Sequence, residues 1–153
     1  MSLGSRFPPE FLKLQIERLL KPGAVIKLYR RTDDGQVREK RYVVMHVGED
    51  TVTCIINSEI NAFLMARPAL LKCQVPMPCA THPFMQRDSY IDCSRTRTFS
   101  SAEVIQELMN KADWVLGSIT AELRDDIVGA IKFAETLSVA EVSLLCESLA
   151  QIE

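Results

Sequence analysis

Between Ala24 and Asn57 three β-prone runs follow one another with only turn-length connections, and this constrains the fold more than any other feature of the chain. "AVIKLYR" (Ala24 to Arg30) leads into "RTDDGQ", where Asp34 followed by Gly35 is a strong signal for a tight hairpin turn. The partner run is "REKRYVVMHV" (Arg38 to Val47). A second turn at "GED" opens "TVTCIIN" (Thr51 to Asn57), whose Val52, Cys54 and Ile56 alternate with Thr51, Thr53 and Ile55. Parallel neighbours need a crossover of a dozen or more residues, and these links are far shorter. An antiparallel meander follows.

The flanks complete an α+β pattern. "PPEFLKLQIERLL" (Pro8 to Leu20) gathers Phe11, Leu12, Ile16, Leu19 and Leu20 largely on one helical face, and "KPG" stops it. In the stretch from Ser58 to Phe84, "EINAFLMARPALL" predicts a short helix ending before Pro68, and "LLKCQVPM" a strand limited by Pro76 and Pro78. "SYIDCSR" resumes a strand. From Ser100 the pattern reads as helical to the end: Ser100 with Glu103 and Ser138 with Glu141 have capping-box spacing, and Leu123, Ile127, Ile131 and Ala134 recur at helical intervals between them. The expectation is a single domain over residues 6–153, with a helix at 6–20, a small, strongly bent antiparallel barrel of about five strands at 21–98, and about three helices at 100–151. The leading "MSLGS" reads in part as an expression leader and is set aside.

Of the 153 residues 47% are hydrophobic, enough for one real core. No run of about 18 apolar residues and no signal-peptide pattern occur, which predicts a chain that stays in the cytoplasm, away from membranes. The five cysteines form no CxxC pair and read as reduced thiols, most of them buried; with only His46 and His82 to add, no metal site and no cofactor are expected. Charge is uneven. Residues 1–100 hold 15 Lys and Arg against 10 Asp and Glu, and residues 101–153 hold 3 against 10, so the first part is +5 and the last −7. That permits an anionic partner on the first part.

The glycines are scattered and form no phosphate-binding run, and no GxSxG elbow or HExxH helix is present, which removes the common nucleotide-binding and hydrolase classes. What remains is a cationic sheet with polar groups at its strand ends. Arg41 opens the run "YVVM", where a guanidinium suits a phosphate or simply blunts a sheet edge. Asn57 and Ser58 close the next strand, placed to hold a ribose or phosphate or to form a turn. His82, in the loop "ATHPFMQRD", is free either to reach a cleft as a proton shuttle or to stand in solvent. His46, five residues after Arg41, points to the opposite face of an unbroken strand. Arg95 and Arg97, beside Asp88 and Asp92, form either a phosphate clamp or salt bridges to the acidic helices.

Taken together, "KPGAVIKL", "KRYVVMHV", "IINS", "IDCSRTRTFS" and "VLGSITAELRDDIVGAIKFAETLS" resemble the layout of the MazF/PemK/Kid toxins of type II toxin–antitoxin modules, over roughly Lys21 to Ser138. The resemblance implies an SH3-like barrel with a C-terminal helix, a homodimer that cuts single-stranded RNA without metal or cofactor, and an antitoxin-like protein partner. By the same resemblance Arg41 is the phosphate-stabilising arginine, Ser58 the nearest equivalent of the catalytic hydroxyl, and Asp92 to Arg95 the family's late strand motif. Asn57, Asp92, Arg95, Arg97 and His82 then belong to substrate binding. The chain departs from the pattern at Tyr42, in place of a proline, at Asn57, where a Ser/Thr pair is usual, at Ala24, where an acid is usual, and in the insertion Glu59 to Phe84. The alternatives from other classes are a non-catalytic protein-interaction module and an RNA-binding protein without cleavage, on the same barrel.

Overall fold

The structure, a computed structural model, describes residues 8–32 and 34–152. Met1 to Ser5, Arg6 and Phe7 of the expected first helix, Asp33 of the hairpin turn and Glu153 lie outside the described residues. Helix α1 (Pro9–Leu19) is followed by strands β1 (Ala24–Arg31), β2 (Val37–Val47) and β3 (Asp50–Asn57). Two four-residue helices, α2 (Ala62–Met65) and α3 (Pro68–Leu71), precede β4 (Gln74–Met77), β5 (Ser89–Asp92) and β6 (Arg97–Ser100). Helix α4 (Ser101–Asn110), a 3-10 turn at Ala112–Trp114, β7 (Val115–Ser118), α5 (Ala121–Phe133) and α6 (Val139–Leu149) complete the chain.

The seven strands form one antiparallel sheet in the order β4-β5-β3-β2-β1-β7, with β6 also on β3. Strand β3 is therefore forked: Asp50 to Thr53 pair with β6, while Ile56 and Asn57 pair with β5. The chain leaves β5, turns at Cys93 to Thr96 and returns to the same edge further along, which curls the sheet into a half-barrel. No helix among the described residues is long and apolar enough to cross a membrane.

Both faces of the sheet are covered, because its central strands are apolar on both sides. Val25, Val43, Met45 and Ile91 pack with Ile127 and Ile131 of α5 and Leu145 and Leu149 of α6. Ile26, Leu28 and Val44 pack on the other side with Ile16 of α1 and Val104 and Leu108 of α4. Each such fully buried aliphatic side chain stabilises the fold by about 1.5–3 kcal/mol relative to exposure. Caps fix the helix starts: Ser138 and Glu141 form a complete capping box, the Ser100 hydroxyl accepts the Glu103 N–H at 3.4 Å, and Thr120 accepts the Leu123 N–H at 3.2 Å.

The structure corrects several expectations. The chain beyond Ser100 is not helical throughout, because Val115–Ser118 forms β7 against β1. Gly117 sits there because a Cβ would stand 2.5 Å from Phe84 Cδ1. Among the described residues strands number seven rather than about five, and β4 begins at Gln74, not near Leu70, because Pro68 starts α3. Arg67, held extended at φ −123° and ψ 95° as a residue before proline prefers, separates α3 from α2. In β2 a register shift between Val44 and His46 breaks the alternation, so His46 emerges on the α6 side, its Nδ1 2.5 Å from Ser148 Oγ. Arg41 lies beside Ile56 and Met85, which belong to that same core, so the two side chains share a face rather than opposing one another. Five residues of strand rise, roughly 16 Å, still keep them in separate places.

Candidate functional site: two joined clefts at the strand ends

The ends of β1, β2 and β3, the turn after β5 and the start of β6 surround a groove of about 900 Å³. Its charge is one-sided. Arg30, Arg31, Lys40, Arg95 and Arg97 line it, against the single carboxylate of Asp92. Strand pairing brings these cations together from distant parts of the sequence: β1 and β2 are adjacent, with Leu28 opposite Lys40, and β3 carries β6, with Thr53 opposite Arg97. Lys40, Arg95 and Arg97 make no ion pair among the described residues, whereas Arg30 meets Glu107 of α4 at 2.8 Å. The acidic helices thus engage Arg30 rather than the Arg95/Arg97 doublet.

Aromatic rings alternate with the cations. Tyr42 forms part of the floor, with its ring edge-on to Phe99 at 5.3 Å. The Arg30 guanidinium lies 4.4 Å from the Phe99 centroid. Burial pushes the Tyr42 phenol above its ordinary value, opposed by the nearby charges of Arg30 and Arg97, so at neutral pH it remains a protonated hydroxyl. Phe63 of α2 forms part of the far wall.

Asp92 is not an open ligand in this groove. It is buried, and its Oδ1 accepts from Gln74 Nε2 at 2.9 Å, Ser94 N at 3.0 Å and Ser94 Oγ at 2.5 Å. Thr136 secures the same turn from the other side by donating to the Ser94 carbonyl. Together they hold the bend that presents the exposed Arg95.

A second cleft of about 470 Å³ opens on the other face of the β2 end and holds Arg41 and Ser58 together, with Glu39, Glu59 and Arg87. Lys40, Asn57 and Asn61 line both clefts and form the ridge between them. Arg41 makes no ion pair among the described residues, and its Nε is buried without a partner. Such an orphaned donor costs about 1–3 kcal/mol, an unusual expense for a merely structural arginine.

Of the residues singled out in the sequence, Arg41, Ser58 and Asn57 meet in the smaller cleft, and Asn57, Asp92, Arg95 and Arg97 in the larger. His82 joins neither. It is buried, with Nδ1 3.0 Å from the Pro78 carbonyl and Nε2 accepting the Thr120 N–H at 3.2 Å, so both ring nitrogens are used in tying the loop to the start of α5. Sequence reasoning passed over Arg30, Arg31, Lys40, Asn61 and Phe63. The parity of β2 held the signal for Lys40, since a strand that aims Arg41 one way aims Lys40 the other. No group of three or more His, Cys, Asp and Glu gathers as a metal site among the described residues, and Cys54, Cys73 and Cys93 are buried free thiols. No protein-family model matches the chain, and no curated protein matches it by sequence.

Proposed function

We propose that this is a MazF/PemK-like protein on an SH3-like barrel, which binds single-stranded RNA along the cationic groove and cuts it in the adjoining cleft. The observation that carries binding is the groove's lining: five cations face one buried carboxylate, with aromatic rings between them. Guanidinium and ammonium groups track a phosphate backbone, and ring faces accept unstacked bases, the combination single-stranded nucleic acids require. The groove's mixed chemistry suits a flexible strand.

Cleavage rests on the resemblance and on the meeting of Arg41 with Ser58 across the ridge from the groove. In the reaction proposed, a ribose 2′-hydroxyl attacks the adjacent phosphorus, the bond to the 5′-oxygen breaks, and a 2′,3′-cyclic phosphate and a 5′-hydroxyl end result. Arg41 stabilises charge on the phosphorane oxygens, and drawing its guanidinium onto a phosphate also relieves the orphaned Nε. Glu59, which lines the cleft without an ion pair among the described residues, takes the 2′-hydroxyl proton, the Ser58 hydroxyl orients the phosphate, and solvent water protonates the leaving 5′-oxygen. The same proposal includes a homodimer and an antitoxin-like partner.

A second reading, a module whose C-terminal helices engage a protein partner, is favoured by Phe133 and Val139, 81% and 85% exposed where α5 ends and α6 begins. Incubation of the purified protein with a long unstructured RNA in EDTA, beside Arg41→Ala, separates the two. Cut ends bearing cyclic phosphate, lost in the variant, support the ribonuclease; intact RNA with wild-type protein shown to be folded and free of bound partner supports the module.

A further inference from the structure

Three aromatic rings reach the groove, and two of them are already engaged. Tyr42 is only 3% exposed, and Phe99 packs T-shaped with Tyr42 and has the Arg30 guanidinium over its ring. Phe63 differs: it is 57% exposed, and its one ring partner among the described residues is Arg67, whose guanidinium carbon stands 3.5 Å from the ring centroid. Arg67 is pinned there by Nη1 donating to the Phe63 carbonyl at 2.8 Å. One face of Phe63 is thus backed by a fixed cation.

The short helix that carries this pair is itself anchored. Leu64 is buried, and the Asn61 Oδ1 caps α2 by accepting the Leu64 N–H at 2.9 Å. With its oxygen engaged, Asn61 has its amide NH₂ left for a ligand, on the ridge beside Phe63. A single exposed phenylalanine is ordinary on a protein surface. One that is cation-backed and set in the wall of a groove lined by five cations is not explained by packing.

We propose that Phe63, backed by Arg67, is the platform on which one base of the bound strand stacks, with the Asn61 amide NH₂ meeting an acceptor on that base's edge. This rests on the RNA-binding function proposed above and adds that the insertion between β3 and β4 reads the base while the strand-end cations hold the backbone. Stacking of this kind accepts any base, because every base has a π-face, so sequence preference at this position comes from Asn61.

The test uses a short fluorescein-labelled 2′-O-methyl RNA, which has no free 2′-hydroxyl to attack its own backbone, and the same strand made abasic, with binding followed by anisotropy. Phe63→Ala should weaken binding of the normal strand about tenfold, within the range measured for loss of one base–aromatic stack, and leave the salt dependence unchanged because no phosphate contact is removed. Phe63→Trp should bind as wild type does, with its indole emission quenched by the strand. On the abasic strand wild type and Phe63→Ala should bind alike. Salt-dependent binding by wild type with Phe63→Ala equal to it overturns the platform and leaves the RNA-binding function standing. A loss in Phe63→Ala that persists on the abasic strand or lowers the salt slope also overturns the platform, since it marks a structural or electrostatic effect. No binding by folded wild type overturns both.

Discussion

Asp92 and Arg95 are three residues apart and do different work, which only their surroundings reveal. Asp92 receives three hydrogen bonds on one oxygen in a buried turn, so Asp92→Ala strands the donors of Gln74 and Ser94. Urea unfolding should show a loss of about 1–3 kcal/mol, with weaker RNA binding as a secondary effect through the loosened Arg95. A stable variant with normal binding would deny Asp92 its positioning role. Asp88 lends itself to a pH experiment. Its carboxylate accepts the Cys79 N–H at 3.0 Å, and that bond, with a second from the Cys79 thiol, holds its carboxyl below the ordinary value. A group depressed in the folded state stabilises it above the unfolded pKa, and the contribution is lost as pH falls through the depressed folded value. Asp88→Asn should therefore be less stable than wild type at neutral pH, and the gap in urea midpoint should close in acid. A gap that persists unchanged in acid would assign the effect to packing instead.

Elements with local signals were legible in the sequence, and elements made by distant partners were not. Strands β1 to β3 announced themselves through alternation and the Asp34-Gly35 turn, where Gly35 does adopt a positive φ of 82°. The caps of α4 and α6 were legible for the same reason, since Ser100 and Ser138 act on residues three places ahead. Strand β7 was hidden: Val115–Ser118 is a strand because β1, about ninety residues earlier, pairs with it, and nothing nearby says so. The bulge in β2 was equally silent, and it undid a parity argument that was sound for an unbroken strand. Of the residues singled out in the sequence, Arg41, Asn57, Ser58, Arg95 and Arg97 do line the two clefts, because strand ends are readable. The groove lining at Phe63 and Arg31 was not legible because the groove joining them exists only in three dimensions, and His82 misled because a loop's composition does not reveal burial. Gly117→Ala tests the packing that closes this part of the sheet. Its new Cβ would meet the Phe84 ring, and thermal unfolding should register a loss of about 1–3 kcal/mol, relieved in the double variant with Phe84→Ala.

For the molecule as a whole, the overall charge of −2 conceals a division of labour. Among the described residues Lys40, Arg41, Arg95 and Arg97, none of them in an ion pair, stand at the two clefts, and the acidic surplus lies in the helical part. On the function proposed, an anionic strand is thereby drawn to one groove rather than to the surface at large. Exposed phosphate contacts release counterions, so the affinity for 2′-O-methyl RNA should fall steeply with salt, and each cation removed from the contact should lower the logarithmic slope by about 0.7. The most direct measurement is therefore a salt titration of RNA affinity for wild type, Arg95→Ala, Arg97→Ala and the double variant, with a charge-neutralised residue on the acidic face, Glu122→Gln, as control. Strand binding through these arginines predicts a slope that decreases stepwise through the series and stays at the wild-type value in the control. A slope indifferent to both arginines, or binding too weak to show salt dependence in the wild type, would contradict it.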